Sequence, residues 1–256
     1  MTKNELMKVQ QLTVRFGGLK AVDSVDFKIF RNEIVSLIGP NGAGKTTIFN
    51  AVTGFVKKEG GTIEFEDHRL EQLRPHEIAK QGLVRTFQIT SLFPNLTVVE
   101  NIRTGRHMQE QGSLFDTLLN TRRKRKVENE NLDRVMEIIQ FLDLEALRDT
   151  TASNLPYGNQ RVLEIGIALA AEPKLLLLDE PSAGLNDAET NVMMELIKKM
   201  RERGITILLV EHDMKLVMGI SDRIVVLNFG KKIAEGTPAQ IGCNPQVITA
   251  YLGERR

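Results

Sequence analysis

Gly39-Pro40-Asn41-Gly42-Ala43-Gly44-Lys45-Thr46-Thr47 follows directly on the apolar run Ile34-Val35-Ser36-Leu37-Ile38. The order is strand, glycine-rich turn, helix start, and the spacing G-x-x-x-x-G-K-[ST] is that of a phosphate-binding loop. Glycines let the backbone curl until successive N–H groups converge on phosphate oxygens, and the helix that follows adds the positive end of its dipole. Lys45 brings a point charge to the β- and γ-phosphates, and the Thr46 hydroxyl suits Mg²⁺. A glycine turn with an incidental lysine does not account for the strand before it and the helix after it. The segment reads as a nucleoside-triphosphate cradle.

The rest of the chain fits one large α/β domain with an insert. It has 256 residues, 41% hydrophobic and 26% charged, with a formal net charge of +1. That charge gives no bias toward nucleic acid or an anionic surface. One cysteine, Cys243, leaves no internal disulfide and suits a reducing compartment. The N-terminal ten residues, MTKNELMKVQ, contain no apolar signal segment, and the strongest apolar runs, 175–178 and 205–210, have strand length and not membrane-spanning length. A membrane role is therefore expected to come through a partner.

Three runs, 34–38, 175–178 and 205–210, are apolar without alternation, which marks central parallel strands buried on both faces. Helical patterns flank them, so the expected core is a mostly parallel sheet with helices on both sides. Residues 9–16, 25–30 and 62–65 read as an N-terminal antiparallel β-subdomain, 223–227 and 232–234 as a late hairpin, and 246–252 as a short amphipathic helix. From 91 to 160 strand signal is sparse. Leu132, Val135, Met136, Ile139 and Leu142 recur at helical spacing. The expected division is a nucleotide-binding core of 1–88 and 161–256 and a helical subdomain of 89–160. The basic run Arg122-Arg123-Lys124-Arg125-Lys126 within it reads as a solvated face, with lipid headgroups or an acidic partner as the alternative. No aromatics are interleaved, which argues against a single-stranded nucleic-acid platform.

Asp179 and Glu180 end the 175–178 run, followed by Pro181. Two adjacent carboxylates at the end of a buried strand are costly unless a cation sits there. Mg²⁺ on the triphosphate is the natural candidate, oriented by Asp179, while Glu180 polarises the attacking water. An Asp-Glu pair capping the next helix is the structural alternative. His212 ends another buried strand, where a γ-phosphate contact competes with an ordinary hydrogen-bonding role. Gln88 stands where strand signal gives way to the insert and could sense the metal or the water. Phe16, before Gly17-Gly18, could stack on a flat base or simply close the core.

The phosphate loop, Gln88, Asn154-Leu155-Pro156-Tyr157-Gly158-Asn159-Gln160-Arg161, the strand ending Asp179-Glu180-Pro181, and His212 together resemble ABC-type ATPases over essentially the whole chain. More narrowly, Gly82-Leu83-Val84-Arg85-Thr86-Phe87-Gln88, Ala183-Gly184-Leu185-Asn186, the long insert after Asn101-Ile102 and the ending Ala250-Tyr251-Leu252-Gly253-Glu254 resemble the ATPase subunits of branched-chain amino-acid importers. The resemblance implies a P-loop NTPase core, ATP and Mg²⁺ as cofactors, and two subunits that sandwich two ATP molecules. It implies base stacking by Phe16, sensing of metal and water by Gln88, general-base action by Glu180 and a switch role for His212. Metal contacts would come from Thr46, Gln88 and Asp179. Residues 155–160 would form the signature loop that closes over the partner's ATP, contacting it through Leu155, Gly158 and Asn159.

That loop departs from the family's usual Leu-Ser-Gly-Gly-Gln. Pro156 lacks the serine's hydroxyl and an N–H, Tyr157 replaces the first glycine, and Asn159 the glutamine. Losing a charge-assisted hydrogen bond costs about 1.5–3 kcal/mol. The expectation is a heterodimer with a second ABC ATPase. Two integral membrane permeases, a periplasmic or extracellular substrate-binding protein and a peripheral place on the cytoplasmic side of the membrane complete the picture, with no nucleic-acid partner. The rival readings are the ATPase of a lipid or lipopolysaccharide exporter, a soluble ABC-type ATPase acting on ribosomes or nucleic acid, and a nucleotide-gated scaffold that does not turn ATP over.

Overall fold

The computed structural model of the chain describes residues 4–86, 92–106 and 122–252. Its contacts form two compact units, one built from residues up to Arg85 and from Lys174 onward, the other from Thr86–Pro173. The helix that starts at Tyr157 packs within the second unit, which runs to Pro173.

The first unit holds two sheets. Strands β1 (Glu5–Phe16), β2 (Leu19–Phe30), β4 (Gly60–Phe65) and β5 (His68–Arg69) form an antiparallel sheet in the order β2-β1-β4-β5. Strands β3 (Ile34–Ile38), β6 (Leu83–Arg85), β7 (Leu175–Asp179), β8 (Thr206–Val210), β9 (Arg223–Asn228) and β10 (Lys231–Gly236) form the other, in the order β10-β9-β3-β8-β7-β6. All neighbours in it are parallel except the β9–β10 hairpin. Every residue of β3, β7 and β8 is buried, as unalternating apolar runs require.

The two faces of that sheet are covered differently. Val35, Leu37, Leu175, Leu177, Leu208 and Val210 pack with the antiparallel sheet and with Ile48, Phe49 and Val52 of helix α1 (Lys45–Val52). Ile38, Ile224 and Val226 pack instead on Val217, Ile241 and Val247. These belong to helices α7 (Met214–Ile220), α8 (Pro238–Gly242) and α9 (Pro245–Leu252). Helices on both sides were expected; on one side much of the cover is a second sheet. Helix α2 (Pro75–Lys80) and helix α6 (Asp187–Glu202) complete the unit.

The second unit is helical among its described residues: α3 (Val98–Arg106), α4 (Arg122–Phe141) and α5 (Tyr157–Ala170), with two short 3₁₀ turns. Helices α3 and α5 meet at glycines. A Cβ on Gly105 would lie 2.1 Å from the Ile167 carbonyl oxygen, and one on Gly166 2.6 Å from Leu142 Cδ1. The buried face of α4 carries Val135 and Ile139, with Leu142 just beyond it, but Leu132 is 47% exposed. Asn131 is buried in its stead, and its side-chain oxygen accepts from Arg106 Nε at 3.2 Å and Nη2 at 3.0 Å. Counting apolar residues could not find an amide that is buried because an arginine satisfies it. Among the described residues no helix is long and apolar enough to cross a membrane.

Candidate nucleotide-binding site

Parallel pairing in register brings the chemistry to one edge. Leu37 pairs with Val210, and Val210 with Asp179. The loop that leaves β3, the Glu211–His212 segment that leaves β8 and the Asp179–Glu180 pair that closes β7 therefore emerge side by side, at the carboxyl ends of adjacent strands. Open α/β sheets bind ligands there.

The loop between β3 and α1 depends on glycine for space as well as for conformation. Gly39 and Gly44 have positive φ, and a Cβ would come within 2.2 Å of the Leu227 carbonyl oxygen at the first and 2.6 Å of the Ala21 carbonyl oxygen at the second. Neighbouring backbone braces the loop: Gly230 N–H donates to the Ala43 carbonyl at 3.1 Å. Lys45 Nζ donates to the carbonyls of Gly39 at 2.7 Å and Pro40 at 3.1 Å. Burial pushes the Lys45 ammonium pKa down, and the charges of Glu180 and Asp179 pull it back up. Pro40 and Gly44 are half-buried, Ala43 is buried, and Asn41, Gly42 and Thr46 are exposed at the loop and the first turn of α1. Thr47 is half-buried beside them.

Asp179 is buried at the end of β7 and already has a cation from its own chain. Arg85 Nη2 donates to Asp179 Oδ2 at 2.6 Å, and Arg85 Nη1 donates to Asn50 Oδ1, also at 2.6 Å. The same guanidinium lies 5.5 Å from the Phe49 ring centroid. One arginine thus ties the acid strand to the helix that carries the phosphate loop. Neither Arg85 nor Asn50 stood out in the sequence as functional; the available signal was an arginine ending a strand just ahead of Gln88. Among the described residues no group of three His, Cys, Asp or Glu side chains could hold a metal. Mg²⁺ keeps most of its shell as water and phosphate oxygen, so a hydroxyl at Thr46 and a carboxylate at Asp179 suit it as a protein share. Gln88 lies outside the described residues.

Glu180 has φ 49°, a left-handed conformation that costs a non-glycine residue roughly 1–3 kcal/mol. Its N–H donates to the Val210 carbonyl at 2.9 Å, and its own carbonyl accepts from Ala183 N–H at 3.1 Å. Glu180 does not cap the next helix. That task falls to Asn186, whose Oδ1 accepts from the N–H groups of Ala188 at 2.9 Å and Glu189 at 3.0 Å. Asn186 therefore serves as cap where the family pattern has Asp. The His212 side chain is 66% exposed, with Nδ1 4.0 Å from Glu180 Oε2. Such a ring is not a core residue. Phe16 is 51% exposed and pairs with Leu19 at the head of the hairpin whose return strand places Ala21 against Gly44. It does not close the core either.

The loop at 155–160 belongs to the second unit. Leu155 is buried, its N–H donates to the Ala152 carbonyl at 3.2 Å, and its carbonyl accepts from Gln160 Nε2 at 2.9 Å. Its buried side chain and these two backbone bonds anchor the loop. Pro156 is the N-cap of α5 and supplies no side-chain cap. Gly158 and Asn159 lie in the first helical turn, which cannot satisfy its own N–H groups. Arg161 lies 5.2 Å from the Tyr157 ring centroid, donates to Tyr157 Oη at 3.0 Å and pairs with Glu164 at 3.0 Å. Burial raises the Glu164 pKa, with Arg161 opposing.

The family model described as "ABC transporter" matches residues 22–183, and that described as "Branched-chain amino acid ATP-binding cassette transporter" matches residues 231–256. Over 250 residues the chain is 52% identical to the high-affinity branched-chain amino acid transport ATP-binding protein LivG of Escherichia coli K12, covering 97% of this chain and 98% of that protein. A nucleotide-free ATP-binding cassette from an ABC transporter superposes with a TM-score of 0.85 at 31% identity, covering 98% of this chain and 100% of the other. The dimeric post-hydrolysis state of an ATP-binding cassette bound to ADP and Pi gives 0.75 at 26% identity, covering 91% and 99%.

Proposed function

This chain belongs to the ABC transporter family of ATP-binding proteins, and from that premise we propose that it is the ATP-hydrolysing subunit of an importer of branched-chain and other hydrophobic amino acids. The observation that carries the ATPase reading is the register Leu37–Val210–Asp179, which gathers phosphate loop, acids and histidine at one sheet edge. The import reading rests on the named relative and on the match over 231–256.

In this reading the amides of residues 39–47 and the Lys45 ammonium hold the β- and γ-phosphates. Thr46 and Asp179, with Gln88, hold Mg²⁺, which supplies positive charge at the phosphate oxygens when bound. Glu180 takes the proton of the attacking water. His212 donates to the γ-phosphate. Phe16 stacks on the base, and the first turn of α5, through Gly158 and Asn159, faces a second subunit's nucleotide. Two ATPase subunits close on ATP and part after hydrolysis, driving two integral membrane permeases. The chain sits peripherally on the cytoplasmic face, and an external binding protein delivers the substrate. The divergent loop around Pro156 favours a partner ATPase with a different sequence.

Proteoliposomes holding this chain with its permeases, partner ATPase and binding protein should take up leucine, isoleucine and valine on internal ATP. Glu180→Gln in this chain should stop that uptake. Uptake indifferent to this chain, or lipid extrusion in its place, contradicts the reading.

A further inference from the structure

Glu211, at the same sheet edge, has no part in the reading above. It follows the four apolar residues Ile207-Leu208-Leu209-Val210 and is 1% exposed. A carboxylate there is costly unless donors converge on it. Four do. Oε1 accepts from Ser182 N–H at 2.9 Å and from the Ser182 hydroxyl. Oε2 accepts from His212 N–H at 2.8 Å and Asp213 N–H at 3.1 Å. Each oxygen serves a different loop: one the turn that follows Glu180, the other the segment that carries His212.

We propose that Glu211 is a positioning residue for hydrolysis, a single buried carboxylate that sets the loop after Glu180 and the His212 backbone against each other. Glu180 needs such a hold because its left-handed backbone is strained, and Ser182, two residues on, is the point where Glu211 grips that turn. On the other side the grip fixes the main chain of His212, whose Nδ1 stands 3.5 Å from Glu211 Oε2 and 4.0 Å from Glu180 Oε2. Glu211 keeps the base and the histidine at a fixed spacing while the phosphate loop binds ATP independently of it.

The inference rests on the hydrolytic reading, and the test separates the two. Glu211→Gln keeps the shape but replaces one acceptor oxygen with an NH₂ group, which in either orientation faces backbone N–H donors of one loop. Steady-state ATP hydrolysis is measured on the full chain assembled with its partner ATPase and permeases, and equilibrium binding of a fluorescent ATP analogue on the full chain, each beside wild type. The expected result is a kcat lower by ~30-fold, since small misplacements of reacting groups cost up to about a hundredfold, with nucleotide Kd within about twofold of wild type. Ser182→Ala, which removes only the hydroxyl donor, should lower kcat by about threefold at unchanged Kd. Adding it to Glu211→Gln should cost almost nothing further, because both act through one group. Wild-type turnover in Glu211→Gln overturns the proposal, as does a loss of kcat, nucleotide affinity and melting temperature in parallel. If Glu211→Gln does not fold, Ser182→Ala decides, and wild-type kcat there is fatal. A wild-type assembly of this chain with its partner ATPase and permeases that shows no hydrolysis overturns the hydrolytic reading and this proposal with it.

Discussion

Two loops in this molecule each open a helix, one before α1 and one before α5, and they are built on opposite principles. The loop before α1 is nearly all main chain: glycines where a Cβ would strike a carbonyl, a lysine folded back on the loop's own oxygens, and a brace from the Gly230 amide of the β9–β10 hairpin to the loop's Ala43 carbonyl. The loop before α5 is held by side chains. Leu155 is buried as its anchor, Pro156 supplies no cap, and Tyr157 lies beside an arginine that is itself paired with Glu164. The first loop carries charge, amides and a neighbouring pair of acids within one unit. The second offers helix-end amides alone. In the proposed reading the first loop binds phosphate with its own unit's groups, and the second acts through what it meets.

The largest expected effect falls on the first loop's acids. Glu180→Gln should lower hydrolysis by ~10²–10⁴-fold while ATP binding persists; unchanged turnover, read by phosphate release, would remove Glu180 from the general-base role. Next comes the support behind the loop. Arg85→Ala leaves Asp179 buried without its guanidinium, and breaking a buried pair in this way costs about 3–5 kcal/mol. Chemical denaturation should show it as a lower midpoint, and a midpoint equal to wild type would mean that the pair contributes nothing.

The second loop answers to smaller changes. Pro156→Ser restores an N-cap hydroxyl, and a charge-assisted hydrogen bond gained across a dimer is worth about 1.5–3 kcal/mol. Measured by sedimentation with ATP in the Glu180→Gln background, self-association should tighten roughly ten- to a hundredfold. No tightening would break the contrast between the two loops. The smallest effect is on pH dependence. Burial holds the Glu164 pKa above 4.5, so from 4.5 up to its folded value the native state binds more protons than the unfolded one. Stability conferred below that window is therefore lost as pH rises through it. Glu164→Gln should abolish this slope, so the melting temperature of wild type falls relative to the variant as pH climbs; parallel profiles would show that Glu164 does not titrate between the two states.

Much of this was legible in the sequence, for physical reasons that can be named. Unalternating runs announced β3, β7 and β8, because strands buried on both faces need no polar side. Glycine spacing announced the phosphate loop, because few other backbones can curl that way. What escaped was whatever depends on a partner distant in sequence. Asn131 is buried in place of Leu132 because Arg106 reaches it. Arg85 matters because Asp179 and Asn50 stand beside it. Glu211 gives no signal in the sequence, because the Ser182 N–H that donates to it lies 29 residues earlier. The burial of Leu155 escaped too, since a motif shows position but not burial.

Main-chain amides and one ammonium group at residues 39–47 are proposed to grip a triphosphate. Calorimetric titration of ATP with magnesium into wild type and Lys45→Ala measures that grip. Wild type should bind saturably, and the variant at least about tenfold more weakly with hydrolysis at background, as losing a charged contact of about 1.5–3 kcal/mol requires. Equal affinity and equal turnover in the two proteins would contradict it.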